Sequence, residues 1–266
     1  MYRAYWGLQE KPFENTPDPR FLYYSPKHEE GLSRLNYAIG ERKGAALLTG
    51  EFGSGKTVLS RALEELLDNT KYKMVFITNS QLPAFDFLVG IAKQLGQEKI
   101  PDRKIDLLDQ INEMLRRNMA IGKDTIVVID EAQLIESREV FEEIRLLLNF
   151  QLNDRFLMTL ILLGQPELRE RVNTIPQLKQ RMAVRYHLDA LSEEETKQYI
   201  LHRLKVAGRD QPAFRDEAVH LVYEHTKGLP REINTIGDMS LFSGFAKKAT
   251  LIDEAIVRDV IKDYEG

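Results

Sequence analysis

The fold of this chain is decided by the stretch Gly50-Glu51-Phe52-Gly53-Ser54-Gly55-Lys56-Thr57. It fits the pattern G-x-x-x-x-G-K-[ST], in which glycines let the backbone curl with its N–H groups pointing inward. We expect a strand before it at Ala45–Thr49 and a helix after it at Val58–Leu67. A helix N-terminus beside inward N–H groups binds phosphate oxygens. The expected phosphate contacts are Gly50, Gly53, Ser54, Gly55, Lys56, Thr57 and Val58.

Two side chains of this loop add chemistry to the backbone cradle. Lys56 brings a positive charge for the β- and γ-phosphates of a nucleotide, and the Thr57 hydroxyl can ligate Mg²⁺. A second motif is the apolar run Ile126–Ile129, which leads directly into Asp130 and Glu131. Carboxyl ends of parallel strands face the ligand crevice, so Asp130 is expected to hold Mg²⁺ through water. Glu131 is then placed to orient and activate the attacking water.

Short apolar runs alternate with helical patterns over the first 190 residues. Such continuous runs indicate strands buried on both faces, which suits a parallel sheet. The strand–helix alternation implies right-handed crossovers and an α/β core. The predicted strands are Ala45–Thr49, Met74–Thr78, Thr125–Ile129, Leu157–Leu163 and Val184–Leu188.

Beyond Leu191 the pattern is helical only. Ser192 followed by Glu195 predicts a capping box, and Asp253 is a plausible N-cap. We therefore predict a nucleotide-binding core over residues 1–190 and a small all-helical domain over residues 191–266. The helices predicted in this second domain are Ser192–Val206, Arg215–Thr226, Pro230–Phe245 and Asp253–Asp263.

Composition excludes several classes of protein. The chain of 266 residues is 43% hydrophobic and 29% charged, which is ordinary globular usage and argues against disorder. It has no cysteine, so disulfide scaffolds, thiol catalysis and Cys-ligated metal centres are excluded. A net charge of −4 argues weakly against coating nucleic acid by overall charge. Without a basic-then-apolar leader or a long apolar run, a cytoplasmic protein is expected.

Together these motifs resemble a known family. The phosphate loop, the stretch Ile129–Gln133 and the later stretch Gly228–Asn234 look like an AAA+ ATPase. The opening Tyr5–Tyr23 and the stretch Leu163–Leu168 resemble its general secretion pathway protein A (ExeA-type) subfamily. The resemblance implies a P-loop NTPase with a three-layer αβα core, a parallel sheet and a helical lid. It also implies ATP and Mg²⁺ as ligands.

Further site residues are implied by this resemblance. Arg231 matches the sensor 2 arginine that reaches the γ-phosphate, and a cation at a helix N-terminus needs a partner other than the helix dipole. Arg181 matches the arginine finger that acts on a neighbouring subunit, with Arg171 and Arg185 as rivals. Gln165, after the strand Leu157–Leu163, stands where the family has sensor 1, and the usual Asn or Thr is absent. Asn79 resembles the polar switch residue that holds the catalytic glutamate, and the alternative is a turn-forming Asn before Pro83.

The N-terminal segment concentrates aromatic residues. Phe13 could line an adenine pocket, since an apolar slot suits a purine ring. The alternative is that Phe13 and its aromatic neighbours form a strap packed on the αβ core, and a third reading is a latch at a subunit interface. His28 has the features of a helix cap or surface residue and is not assigned to the site.

Two functions fit these observations. The first is a Mg-dependent ATP hydrolase that forms nucleotide-dependent homo-oligomers and remodels or assembles a secretion or envelope partner. Relatives of this kind often continue into a membrane span and a peptidoglycan-binding domain. Two alternatives follow: the chain is the cytoplasmic part of such a protein, held at the inner face of the membrane through a partner or a further C-terminal segment, or it is a stand-alone form. The alternative is a transposition- or initiator-type regulator that binds DNA in an ATP-dependent way. A nucleotide-switch adaptor with negligible turnover is the remaining reading.

Overall fold

A five-stranded, fully parallel sheet organises the structure, a computed structural model that describes residues 2–265. The strand order is β2-β3-β4-β1-β5. The central strands β1, β3 and β4 are almost wholly buried, as their continuous apolar sequences require. The strands are β1 Ala45–Gly50, β2 Tyr72–Ile77, β3 Asp124–Ile129, β4 Met158–Gly164 and β5 Met182–Leu188.

The helices follow the strand–helix alternation and then continue alone. Their bounds are α1 Tyr2–Tyr5, α2 Pro26–Gly40, α3 Lys56–Leu66, α4 Ala84–Leu95, α5 Lys104–Ala120, α6 Arg138–Leu147, α7 Pro166–Asn173, α8 Pro176–Arg181, α9 Glu193–Val206, α10 Asp216–Thr226, α11 Pro230–Ala246 and α12 Glu254–Glu265. The predicted α/β class with a parallel sheet and C-terminal helices is confirmed. No described helix is long and apolar enough to cross a membrane.

Strand and helix ends differ from the predictions by a few residues. The second strand begins at Tyr72 and ends at Ile77, which leaves Thr78 outside it. The helix after the phosphate loop begins at Lys56, two residues before the predicted start. Both helix caps predicted in the C-terminal part are present: Ser192 and Glu195 form a reciprocal capping box, and Asp253 Oδ1 accepts from the N–H of Ile256 at 3.0 Å.

The chain forms two compact units. One unit, Glu29–Gly50 with Ser60–Leu188, contains the sheet and a hydrophobic core between the strands and helices such as α4, α5 and α6. The other contains the described parts of Met1–His28 and Asp189–Gly266, together with the loop segment Glu51–Leu59. The predicted boundary at residue 191 stays a prediction.

The N-terminal aromatic residues belong to the core of the helical unit. Trp6 and Phe13 are each 2% exposed and pack in one cluster with residues of α9 to α12. The Trp6 indole N–H donates to Leu241 O at 2.8 Å, and Phe13 meets Phe214 edge-on. Arg203 donates to the carbonyl oxygens of Pro12 and Glu14. The strap expected on the αβ core therefore packs on the C-terminal helices instead, because its apolar side chains and free carbonyls find their partners there.

Candidate nucleotide-binding site

Parallel topology brings the carboxyl ends of β1, β3 and β4 to one edge of the sheet. The phosphate loop follows β1, Asp130 and Glu131 follow β3, and Gln165 follows β4. Strand β4 lies between β3 and β1. The carboxyl ends of β1 and β3 are thus two strand spacings apart, about 10 Å. This edge is where ligands bind in open parallel sheets.

The phosphate loop has the conformation that its glycines allow. Gly53 has φ +81° and Gly55 has φ +101°, values that L side chains rarely adopt. A Cβ on Gly53 would also lie 2.6 Å from Cβ of Arg231. The backbone conformation therefore favours glycine at both positions, and the close approach of Arg231 also leaves no space for a side chain at Gly53.

The polar groups of the loop suit a phosphate. Lys56 is 5% exposed, and its Nζ donates to Glu51 O at 2.9 Å inside the loop. The Ser54 hydroxyl is buried and has no hydrogen-bond partner among the described residues. A buried hydroxyl without a partner is costly, and an incoming anionic oxygen would accept a hydrogen bond from it. The loop thus fits the phosphates of a nucleotide, and the Thr57 hydroxyl and Asp130 carboxylate are hard oxygen donors suited to Mg²⁺.

Arg231 contacts the phosphate loop within the helical unit. It is the second residue of α11, and its N–H donates to Gly53 O at 3.3 Å. Its guanidinium carbon lies 4.2 Å from the centroid of the Phe52 ring, which is half exposed. The arginine at the start of α11 is therefore held against the loop by a cation–π contact.

His28 contacts the backbone of the phosphate loop. It was not among the site residues predicted from the sequence. Its Nε2 lies 3.3 Å from Ser54 O and its Nδ1 lies 2.8 Å from Ser25 Oγ. Burial lowers the pKa of the His28 imidazole because it disfavours the charged ring. A Cβ on Gly55 would lie 3.0 Å from His28 Nε2. No local sequence pattern identifies such a partner.

Hydrogen bonds to their backbone groups hold the two residues of the acidic pair in place. Asp130 is 8% exposed, its N–H donates to Ile77 O at 3.0 Å, and its carbonyl oxygen accepts from the buried Ser80 hydroxyl. Asp130 Oδ1 accepts from the N–H of Glu131 at 2.9 Å. Glu131 has φ +50° and ψ 37°, a left-handed conformation that costs a non-glycine residue about 1–2 kcal/mol.

The Glu131 carboxylate is held by a residue that the sequence analysis left out. Gln133 Nε2 donates to Glu131 Oε2, and Gln133 Oε1 accepts from the N–H of Gln165 at 3.1 Å. The structure thus brings Glu131 and Gln165 to the same amide. Asn79 is exposed, and its Oδ1 accepts from the N–H of Gln81 at 3.2 Å. Within residues 2–265, no hydrogen bond joins Asn79 to Glu131.

The predicted arginine finger and the predicted adenine contact have other partners within their own units. Arg181 ends α8 and donates to Leu148 O and, at 2.8 Å, to Asn149 Oδ1. Its rivals Arg171 and Arg185 likewise donate to backbone carbonyl oxygens. Phe13 is inside the hydrophobic core of the helical unit, so contact with a base would require it to leave that core. The roles of Arg181 and Phe13 stay predictions.

A glycine-rich loop after β1 and an acidic pair after β3 of a parallel sheet define a P-loop nucleotide-binding protein. The family model described as an AAA domain matches residues 39–172, which is half of the chain and includes both motifs. The chain belongs to this AAA family, and the AAA+ resemblance is confirmed.

Curated relatives extend this assignment. General secretion pathway protein A of Aeromonas hydrophila is 40% identical over 251 residues, which cover 93% of this chain and 45% of that protein. An uncharacterized HTH-type transcriptional regulator of Methanocaldococcus jannaschii is 23% identical over 84% of this chain and 66% of its own length. The chain thus spans less than half of the Aeromonas protein. The resemblance to the secretion pathway subfamily is confirmed.

Solved structures share the fold at low identity. The Aeropyrum pernix ORC2 protein, in its ADPNP-ADP complexes, has a TM-score of 0.73 at 18% identity and covers 96% of this chain and 71% of that one. Drosophila ORC bound to DNA has a TM-score of 0.67 at 15% identity over 97% of this chain and 67% of that one. The Thermotoga maritima RuvB branch migration motor has a TM-score of 0.61 at 20% identity over 90% and 69%.

Proposed function

We propose that this chain is a Mg-dependent ATP hydrolase. The observation that carries the proposal is that β1, β3 and β4 end at the same edge of the sheet and lead directly into the phosphate-loop sequence, the Asp130–Glu131 pair and Gln165. In this proposal the loop glycines, Ser54, Lys56 and Val58 bind the phosphates. Thr57 and Asp130 hold Mg²⁺, which would neutralise developing phosphate charge.

Glu131 is the proposed general base of this reaction. Its Oε2 is bound by Gln133, while its Oε1 has no hydrogen bond among the described residues and can accept a proton from water. Gln165 is proposed to orient that water, Arg231 to stabilise the γ-phosphate, and Asn79 to engage Glu131 in another state of the site. Contact of Phe13 with adenine is also proposed, and it would require the ring to leave the core of the helical unit.

The test is Glu131→Gln with Glu136→Gln as matched control. Glu136 is an exposed carboxylate of the same loop. Losing a general base is expected to lower kcat about 10²- to 10⁴-fold, with ATP affinity unchanged within about twofold. Glu136→Gln should keep the wild-type rate. If Glu131→Gln turns over ATP like the wild type, the assignment of the base is wrong.

We further propose that the active unit is a nucleotide-dependent homo-oligomer in which Arg181 completes the site of a neighbour. A finger arginine stabilises transition-state charge, so Arg181→Ala should lower kcat. The decisive experiment mixes Arg181→Ala with Glu131→Gln, because a Glu131 from one chain and an Arg181 from another then rebuild intact sites. Activity above the sum of the two variants supports the proposal. In the control mixture, Arg185→Ala takes the place of Arg181→Ala. If activity exceeds the sum of the two variants only in that mixture, Arg185 is the finger.

The proposed client is a protein of the secretion or envelope machinery, reached at the inner face of the membrane. The similarity to general secretion pathway protein A supports this proposal. The test is co-purification of the Glu131→Gln variant with envelope proteins in the presence of ATP. Capture that disappears in the Lys56→Ala variant, which lacks the phosphate cation, would mark nucleotide-dependent engagement.

A DNA-binding regulator is the second candidate, favoured by one electrostatic observation. Five cations on α7, α8 and β5 form no ion pair with a carboxylate in the described part of the chain: Arg169, Arg171, Lys179, Arg181 and Arg185. Unneutralised cations suit phosphate contacts, which weaken steeply with salt. Strong, salt-sensitive stimulation of the ATPase by duplex DNA, with Glu131→Gln as blank, would favour this candidate over the first.

A further inference from the structure

A buried glutamine bridges two loops at the carboxyl edge of the sheet. Gln133 is 8% exposed. Its amide makes two hydrogen bonds, one from Nε2 to Glu131 Oε2 and one accepted by Oε1 from the N–H of Gln165 at 3.1 Å. A buried amide needs partners for both its donor and its acceptor, and both are present.

The orientation of this amide follows from its partners. The N–H of Gln165 can only donate, so the amide atom facing it must be oxygen. The Gln133 NH₂ group is thereby directed at the carboxylate of Glu131, and hydrogen bonds to a carboxylate are stronger than those between neutral groups. The backbone after β4 therefore determines which atom Glu131 meets.

The end of β4 leaves room for this bridge. A Cβ on Gly164 would lie 2.8 Å from Gln133 Oε1 and 2.6 Å from Leu168 Cδ2. A side chain at that position would push against the amide oxygen. The glycine preceding Gln165 is thus matched to the glutamine that reaches it.

Glu131 is held at both ends by neighbours. Its N–H is bound by Asp130 Oδ1, and its Oε2 is bound by Gln133. The left-handed backbone of Glu131 determines the direction in which its side chain leaves the chain. The hydrogen bond from Gln133 determines the position of its carboxylate. Oε1 is left for a water molecule.

We propose that Gln133 is a positioning residue for ATP hydrolysis. Its amide fixes the Glu131 carboxylate in one orientation and ties that orientation to the loop after β4. This inference rests on the proposed role of Glu131 as the general base. Gln133 holds the carboxylate in the arrangement described here, and the role proposed for Asn79 belongs to another state of the site.

The test is Gln133→Met, which keeps the length of the buried side chain and removes both hydrogen bonds. Misplacing a catalytic group by about 1 Å can cost 10²-fold in rate, so kcat should fall about 10- to 100-fold. KM for ATP, and the affinity for a fluorescent ATP analogue, should stay within about twofold of wild type because the phosphate loop is untouched.

Gln94→Met, at an exposed glutamine, is the control for the loss of two amide hydrogen bonds. Gln94 is another bridging glutamine of the sheet unit, with its amide bonded to the N–H and the carbonyl oxygen of Phe76. Its loss removes the same number of hydrogen bonds without touching Glu131. We expect a lower thermal midpoint and an unchanged kcat. Equal kcat losses in the two variants would show a general structural effect and overturn the inference.

The double variant Glu131→Gln/Gln133→Met tests whether the two residues act as a unit. It should hydrolyse ATP as slowly as Glu131→Gln alone in single-turnover measurements, since effects of residues that act together are not additive. A further drop would show that Gln133 acts independently of Glu131, against the inference. Should Gln133→Met fail to fold, Gln133→Glu keeps the acceptor for Gln165 and replaces the donor by a repelling carboxylate. It should lose at least as much kcat.

The two proposals fail in different ways. The proposed function fails if the wild type does not hydrolyse ATP, or if Glu131→Gln hydrolyses ATP as fast as the wild type. If Glu131→Gln abolishes hydrolysis while Gln133→Met or Gln133→Glu retains or exceeds the wild-type kcat, only the positioning role fails. A weaker ATP affinity in Gln133→Met would likewise contradict it.

Discussion

Replacing Gly228 by alanine should destabilise the helical unit through a clash between two backbone segments. Gly228 has φ +76°, and a Cβ there would lie 1.8 Å from Leu191 O and 3.1 Å from Leu191 N. The N–H of Leu191 also donates to Gly228 O at 3.0 Å. No flexible side chain is available to move, so the alanine must displace the backbone near Leu191.

Two contributions set the size of the effect. A left-handed conformation costs a non-glycine residue about 1–2 kcal/mol. Loss of the Leu191–Gly228 hydrogen bond costs about 0.5–1.5 kcal/mol more. We therefore expect Gly228→Ala to lower the free energy of unfolding of the helical unit by about 2–3 kcal/mol.

The assay is urea unfolding followed by tryptophan fluorescence. Trp6 is the only tryptophan of the sequence and is buried in the same unit as Gly228. With a urea dependence of about 1–3 kcal/mol/M, the unfolding midpoint should fall by roughly 1 M or more.

Gly7→Ala is the control that separates strain from clash. Gly7 has φ +68°, belongs to the same unit, and has no atom within 4 Å of a built Cβ. It should lose only the conformational contribution, about 1–2 kcal/mol. If Gly228→Ala loses no more stability than Gly7→Ala, the close approach to Leu191 does not constrain the fold and the reasoning is refuted.

Three further changes test contacts of the helical unit. Phe52→Ala removes the ring that holds Arg231, a contact of about 0.5–1 kcal/mol, and should tighten nucleotide binding two- to fivefold in a fluorescent titration; weaker binding would contradict a competition between ring and phosphate. The pKa of buried His28 is lowered, so the free energy of unfolding should fall as the pH drops below the ordinary value of 6.5. Urea titrations between about pH 7.5 and 5.5 measure this dependence, and His28→Gln should flatten it. Arg203→Met leaves the carbonyl oxygen of Pro12 without its guanidinium donor and should lower the free energy of unfolding by about 1.5–3 kcal/mol. The measurement is urea unfolding followed by Trp6 fluorescence, and a loss below about 1 kcal/mol would contradict this.

Much of the fold is predictable because its signals are local. The run Ile126–Ile129 is apolar without interruption, and only a strand buried on both faces suits that pattern. Ser192 and Glu195 cap α9 through hydrogen bonds within four residues. The signal for the phosphate loop is equally local, since its glycines can adopt the positive φ angles that the loop requires.

The partner of an apolar segment is not a local property. The sequence shows that residues such as Trp6 and Phe13 must be buried, and nothing in it says against which surface. In the structure they pack with helices that lie some 200 residues later in the chain. Tertiary packing selects the partner, so the strap was expected on the wrong surface.

The same distinction explains why Gln133 was missed while Glu131 was not. A carboxylate at the end of a buried strand is recognisable from its position, because the strand determines where it emerges. A glutamine two residues later has no pattern that marks it, and its contact with Glu131 acquires meaning only when the N–H of Gln165 fixes its oxygen. Two local interpretations suit Asn79, a switch residue and a turn-forming residue, and its amide oxygen accepts from the N–H of Gln81 as the second expects. Side chains that act through a second loop are visible only after the fold has set the two loops side by side.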